Sequence, residues 1–314
     1  MIDGSLYNLK QRVRGDTVMI LIAGCNGHVG QEIVKKVAAR GMKARCFDIR
    51  PLDLPGVDTS HLDIVTGDIT DPEAVRAAMK DVDVVMCVIG IKDTTNVTHE
   101  MVEHGGMKNV IRAGKENNVK HIMYISSLGA RQDSPAQSQA AKWRTEQTLQ
   151  QSGITYTIFR PSGYFIDVTE YLVKEIKTKG KLSLIGDGQY RIQPVDPVDL
   201  AEAFIQSIDN EKAHNKIFKF AGPEIFTQLE MINLTAKVMD VAVKIKKLPY
   251  WLLNGMFSLI AFFTGKKALK DLLYRMTRHS SITEQEMAEL HDAFTIESKR
   301  LEPWLREQIE QGKA

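Results

Sequence analysis

Residues 17–31 read TVMILIAGCNGHVGQ, an apolar run followed at once by three glycines three residues apart, Gly24, Gly27 and Gly30. Glycine costs roughly 0.5–1 kcal/mol inside an ordinary helix or strand, so such a cluster marks a turn that needs positive φ or bare backbone close to a ligand. The chain continues HVGQEIVKKVAARG with apolar residues at helical spacing, so the turn links a buried strand to a helix that starts near His28. There the loop and first-turn amides of Asn26, Gly27, His28 and Val29 meet the positive end of a helix dipole, an arrangement suited to a diphosphate. Gly30 is expected to let the helix approach the sheet. A glycine turn alone is common; the strand before it and the helix after it make it a dinucleotide signature.

Outward from this loop, β-rich runs alternate with helical ones. KARCFD, HLDIVTGD, VDVVMCVIG, KHIMYISS and ITYTIFRP are separated by DPEAVRAAMKD, EHGGMKNVIRAGKENN and AQSQAAKWRTEQTLQQSG. Strict alternation implies βαβ units, right-handed crossovers and a parallel sheet covered on both faces, hence an α/β fold of the doubly wound Rossmann type. We assign the dinucleotide-binding domain to residues 1–160. After Pro161 the pattern loosens into helices with a few short strands, KLSLIG and NKIFKFAG among them. Residues 161–314 are therefore expected to form a smaller, mostly helical substrate or partner lobe, partly wrapped back onto the first domain.

Asp48 ends the second strand in CFDIRP, about 20 residues beyond the glycines, where a carboxylate accepts hydrogen bonds from an adenosine ribose. Arg50, two residues on, is placed to meet the 2′-phosphate of NADP instead, so NAD and NADP both stay open, with a modest preference for NAD. Asp48 as a plain turn residue is the competing reading. After the third strand, Asp68 and Ile69 fall where the chain would pass the adenine, although a turn-forming role suits Asp68 equally well. Asp71 reads as an N-cap. Gly90, at the end of the fourth strand, leaves room for the nucleotide.

Composition narrows the function. Forty-one Lys+Arg against 39 Asp+Glu leave no bulk field for nucleic acid. The three cysteines, Cys25, Cys46 and Cys87, lack metal-ligand spacing and read as reduced core thiols. The opening MIDGSLYNLKQRVRGD lacks the apolar stretch of a secretory signal, so a cytoplasmic location is expected. The most apolar window, Trp251 to Gly265, has lysines on both sides and is too short to cross a bilayer, which takes about 20 residues. It is either a helix buried over a pocket or one lying on a membrane surface. The oligomeric state is not legible.

GCNGHVG, ISSLGA, KWRTEQTLQQSGITYTIFRP and GPEIFTQLEMINL together resemble the atypical short-chain dehydrogenase/reductase family, in its NmrA-like NAD(P)-binding branch. The likeness runs from Val18 to about Gly265, and RLEPWLRE at 300–307 resembles the branch's tail. The resemblance implies a nicotinamide cofactor and a Ser, Tyr and Lys, the last two spaced Y-x-x-x-K, in which a tyrosinate moves the proton. Here ISSLGA supplies Ser126 and Ser127, with Ser127 as the candidate, and Lys142 matches the lysine. Ser138 stands where the tyrosine belongs, and a serine hydroxyl is a far weaker acid than a phenol of pKa ~10. Lys142 still suits the nicotinamide ribose, and Glu146, one turn on, is expected to pair with it. FRPSGYF resembles the family's segment beside the nicotinamide. It places Pro161 against the cofactor and offers Tyr164 as a replacement acid, although packing beneath the second lobe suits Tyr164 better.

Other constellations point elsewhere. His99 and His104, five apart, fall on different helix faces and do not suggest a metal. Asp196 and Asp199 read as helix-capping residues. Two classes remain: an oxidoreductase that reduces a small apolar substrate with NAD(P)H, which we favour, and a redox-silent NAD(P)-binding sensor.

Overall fold

The computed structural model describes residues 18–91, 96–264 and 268–312. The N-terminal stretch read for a signal and Gly265, the end of the apolar window, lie outside these residues.

Seven strands form one parallel sheet: β1 (Ile20–Ala23), β2 (Ala44–Asp48), β3 (Asp63–Thr66), β4 (Val84–Cys87), β5 (His121–Ile125), β6 (Thr155–Pro161) and β9 (Lys216–Phe220), in the order β3-β2-β1-β4-β5-β6-β9. Ile20 pairs with Ala44 on one side and Val84 on the other, so the order reverses beside β1. Every residue of β1 and β4 is buried, as expected for parallel strands covered on both faces. Successive residues feed opposite cores. Ile20 and Ile22 pack with helix α1 (His28–Ala39), whereas Leu21 and Ala23 pack on the face that holds α2 (Pro72–Ala78) and α3 (Met107–Glu116). The second face also carries α4 (Gln137–Gln150).

Past Pro161 the chain forms α5 (Phe165–Lys179) and β7 (Lys181–Ile185), a short β8 (Arg191–Ile192), and α6 (Pro197–Gln206). Helix α6 returns to the main domain, where Leu200, Phe204 and Ile205 join the core beneath α1. Asp196 caps it, accepting from the Val198 amide at 3.0 Å, with Pro197 in the first turn. Asp71 caps α2 in the same way, accepting from the Glu73 amide at 2.9 Å. Of the two late strands expected from the sequence, β9 extends the main sheet beside β6.

The remaining elements are β10 (Phe226–Thr227), α7 (Gln228–Val238), β11 (Lys244–Leu248), α8 (Tyr250–Thr264), α9 (Ala268–Met276), α10 (Glu284–Ala293) and α11 (Leu301–Glu310). A third core of Phe165, Val173, Leu184, Ile232, Trp304 and Leu305 holds this lobe together. The three cysteines are buried and free.

Candidate functional site

The glycine loop sits at the carboxyl ends of β1 and β4, where the strand order reverses and α/β folds open their ligand crevice. Its glycines have different jobs. Gly24 takes φ +92°, and a side chain there would press within 3.0 Å of the Ile89 nitrogen. Its amide donates to the Phe47 carbonyl at 2.8 Å, and its carbonyl accepts from the Gly27 amide at 3.1 Å. Gly30 is needed because a Cβ would lie 2.1 Å from the Gly24 carbonyl oxygen. The close approach is therefore of helix α1 to its own loop, which corrects the expectation that Gly30 served helix–sheet packing.

Gly27 is an ordinary extended N-cap (φ −73°, ψ 164°), and a Cβ there would meet only the Gly24 oxygen at 3.4 Å. No side chain caps α1. The amides of His28, Val29 and Gly30 have no acceptor inside the helix, so they remain available to an anion at its positive end.

Asn26 and Asp48 join this loop to the one after β2. One oxygen of Asp48 accepts from the Asn26 amide at 3.2 Å and the other from the Arg50 amide at 3.4 Å. The Asn26 side chain donates to the Arg50 carbonyl at 3.0 Å and accepts from the Asp53 amide at 3.2 Å. Asp48 thus stands at the rim where a ribose would lie, with the Arg50 side chain exposed beside it. Asp68 takes the turn role: its carboxylate accepts from the Thr70 amide at 2.8 Å. Ile69 is 3 % exposed and packs into the core that faces α2 and α3. Its side chain therefore points away from a nucleotide, contrary to its expected role, because it packs closely against Gly106 ahead of α3.

A cleft of about 850 Å³ runs from the α1 N-terminus across the strand ends, and Gly27, His28, Val29, Gly90, Ser127, Lys142, Pro161 and Tyr164 all line it. The site residues expected from distant stretches thus converge on one cavity. Gly24, Asn26, Gly30, Asp48, Arg50, Asp68 and Ile69 are not among its walls; the first five lie in or directly beside the loops that follow β1 and β2.

Lys142 does not pair with Glu146. Its ammonium donates to the Ile125 carbonyl at 3.0 Å, lies 3.8 Å from Glu103 and sits over the Tyr124 ring at 5.4 Å. Glu103 belongs to a π-helical turn, Glu100–Gly106, that precedes α3. Burial pushes its carboxyl up, but Lys142 and His99 outweigh that and hold it below the usual carboxylate range. Glu146, fully buried, is occupied by Arg160, whose Nε lies 2.8 Å away, and by the Ser126 hydroxyl. The i,i+4 expectation failed because Arg160 on β6 brings a bidentate guanidinium to Glu146, which a lysine cannot match. Both serines line the cleft, but the Ser126 hydroxyl is buried and committed to Glu146, so Ser127, half-exposed, is the one left to meet a substrate.

Ser138 lies outside the cleft lining, 7 % exposed, and donates to Asp271 of α9 at 3.3 Å. Asp271 also accepts from the Gln137 amide at 2.6 Å, so it caps α4, which has no capping side chain of its own. The position that would hold an active-site tyrosine is used here to dock the C-terminal lobe. Tyr164 does line the cleft, yet burial foremost, and then Asp167, push its phenol far above the ordinary value. Tyr124 is shifted upward by burial as well and is not among the lining residues.

The far wall was not legible in the sequence. Tyr274, Arg275, Arg278 and His279 from the chain around α9 line the cleft together with Arg131. Arg131 donates to the Tyr274 hydroxyl at 3.0 Å, and the Arg278 guanidinium lies 4.9 Å from the Tyr274 ring centre. These residues lie more than 130 positions from Arg131 with no motif joining them; the signal was only that "LLYRMTRH" is basic and aromatic.

Residues 24–210 match the model of a family described as NAD(P)H-binding. The chain belongs to that NAD(P)H-binding family. Family and fold together bear out the resemblance to the atypical short-chain dehydrogenase/reductases, and the match implies a nicotinamide cofactor. Among curated proteins it is 24 % identical over 254 residues to the Photosystem II assembly factor Ycf39 of Trieres chinensis, covering 81 % of this chain and 79 % of that one. It is 26 % identical over 219 residues to the NAD(P)H azoreductase of Xenophilus azovorans, covering 68 % and 71 %. An NADPH-dependent quinone oxidoreductase of Escherichia coli superposes with a TM-score of 0.71 at 19 % identity, covering 93 % of this chain and all of that one, which establishes a shared fold.

Proposed function

We propose that this family member is an NAD(P)H-dependent oxidoreductase that reduces a small, largely apolar substrate in the cleft between the sheet and α9. The observation that carries the reading is the single cleft of about 850 Å³, which joins the open amides of α1 to Ser127, Lys142 and Tyr274. That volume lies toward the upper end of ligand sites, roughly 300–1,000 Å³. Bound NAD(P)H supplies a hydride. The chain's part is to hold the diphosphate on the α1 amides, the adenosine ribose at Asp48 and the nicotinamide ribose near Lys142. Ser127 then orients the substrate's acceptor atom, and a cleft hydroxyl or water donates the proton. Tyr164 stays neutral because burial and Asp167 raise its phenol, which makes it a weak acid that can offer a hydrogen bond but gives up its proton poorly. Asp48 at the ribose position favours NAD or use of both cofactors, because a carboxylate repels a 2′-phosphate by ~1 kcal/mol or more at an exposed site. Quinone oxidoreductase and azoreductase activities among similar proteins support a planar electron-accepting substrate.

A second reading is a redox-silent NAD(P) sensor, favoured by Ser138 having left the cleft to anchor α9. Steady-state oxidation of NADH and NADPH against quinones, azo dyes, enones and aldehydes separates the two. Turnover with any of these, lowered on the order of 10²-fold by Ser127→Ala, supports the reductase. Tight nucleotide binding with no turnover across the panel overturns it in favour of the sensor.

A further inference from the structure

Helix α8 is built inside out. Its fifteen residues, YWLLNGMFSLIAFFT, carry no charge, and none of those whose side chains are described is buried. The half-buried face toward the protein is Leu253, Asn254, Phe257, Ser258 and Ala261, which includes the polar Asn254 and Ser258. The outward face is the more apolar one. Trp251 is 73 % exposed, Leu259 60 %, Phe262 82 % and Phe263 75 %. Leu269, Leu272 and Met276 continue this surface on α9. A helix in water buries its apolar stripe and wets its polar one, and contiguous exposed apolar surface of this kind marks a binding face. The sequence left open whether the segment covers a pocket; no residue of α8 lines the cleft.

The charges beside this face select what it meets. β11 enters α8 as KIKKL and pairs with β7, KLSLI; the two strands hold four lysines and no acid. Lys181 and Lys244 stand directly opposite each other, a like-charge pairing that costs stability unless an anion offsets it. Lys244, Lys246 and Lys247 are exposed and make no ion pair among the described residues. No helix among the described residues is long and apolar enough to cross a membrane. Fifteen residues at 1.5 Å per residue give a rod of about 22 Å, which suits lying flat.

We infer that α8, with the outer side of α9 and the lysines of β7 and β11, docks the protein on the surface of an anionic bilayer. The aromatic and aliphatic residues sink to the acyl boundary, while the lysines meet lipid phosphates. Phe and Trp side chains on an uncharged helix beside unpaired lysines fit this interface. A protein partner would need acidic groups around an apolar groove of matching shape, and nothing in this chain specifies one. Because α9 also lends Tyr274 to the cleft, docking sets the cleft beside the headgroups, a consequence that rests on the proposed reductase reading, whereas the docking does not.

The test is flotation of the full chain with vesicles of phosphatidylcholine and phosphatidylglycerol, in parallel with phosphatidylcholine alone. The expected result is co-flotation with the anionic vesicles, reduced more than about tenfold on neutral ones. The double variant Phe262→Ser/Phe263→Ser, at two exposed positions, should bind them at least about tenfold less while its NAD(P)H affinity matches the parent. Lys246→Glu/Lys247→Glu should lose the preference for anionic vesicles. Absence of flotation, flotation unchanged in the phenylalanine variant, or a concentration-dependent dimer broken by that variant without any flotation would each overturn the inference. No arm reads turnover, so a failed docking result stays distinct from a failed reductase result.

Discussion

Gly27→Ala and Gly30→Ala add the same methyl group three residues apart, and the geometry assigns them opposite consequences. At Gly30 the new Cβ would lie 2.1 Å from the Gly24 carbonyl oxygen and 2.9 Å from the Cys25 Cα, both backbone atoms of a tightly bonded loop. Relief requires moving α1 from its loop by more than an ångström, breaking the Gly27-to-Gly24 hydrogen bond and the packing of Ile33 and Val34 behind it. Overpacking of this kind costs about 1–3 kcal/mol, and the lost loop hydrogen bond about 1 more. At Gly27 the backbone is already in the extended region that alanine adopts, and the nearest atom is 3.4 Å away. The stability cost there is at most a few tenths of a kcal/mol to about 1, the difference between glycine and alanine at an N-cap. Yet the methyl occupies the space in front of the α1 amides, where a diphosphate must approach. Urea unfolding and titration with NADH and NADPH separate the outcomes. Gly30→Ala should lose roughly 2–4 kcal/mol of stability by the terms above. Gly27→Ala should unfold close to the parent and bind nucleotide at least about tenfold more weakly. Parent-like nucleotide affinity in a folded Gly27→Ala protein would refute the placement of the diphosphate.

Lys142→Met should weaken nucleotide binding and also cost on the order of 1–3 kcal/mol, because it leaves the buried Glu103 carboxylate with His99 as its remaining partner. The double variant with Glu103→Gln should recover most of the stability but not the affinity, and a single variant as stable as the parent would contradict this coupling. Ser138→Ala should keep nucleotide affinity and any turnover at parent levels, since Ser138 reaches Asp271 rather than the cleft. Asp271→Ala should cost on the order of 1–3 kcal/mol in urea unfolding through the lost cap of α4. Asp199 is raised by burial and by Asp196 from 3.8 to about 7. The native carboxyl therefore keeps its proton at pH values where the unfolded chain has released it. Its contribution is fully present below about pH 4 and is lost as pH rises toward 7, by roughly 4 kcal/mol in the limit of an isolated site. Asp199→Asn should remove most of that slope in stability curves measured between pH 4 and 8; a slope unchanged from the parent would show that other groups carry it.

What the sequence determined by itself was local and periodic. The strand–glycine–helix order around Gly24, Gly27 and Gly30, the alternation of strands and helices and the capping residues Asp71 and Asp196 each depend on neighbours within one or two turns. Backbone sterics and helix-end hydrogen bonding fix such features without knowledge of the rest of the chain. The glycine loop and Gly90 were placed in one site because a parallel sheet brings every strand's carboxyl end to the same edge, whereas Ser127 and Lys142 were assigned to it by the family resemblance. The choice among chemically reasonable partners was decided only by tertiary structure. Glu146 is within reach of Lys142 on one helix face, but Arg160 arrives from β6 with a better fork for its carboxylate. Lys142 then pairs with Glu103, which a π-turn 39 positions away delivers. Ser138 in the tyrosine position pointed to a changed active site, whereas its partner, Asp271, comes from a helix 133 positions on. The side of α8 that faces water was undecidable from a segment apolar nearly all round, because periodicity cannot orient a helix without contrast between its faces. Packing against α9 oriented it, and left Trp251, Phe262 and Phe263 outside.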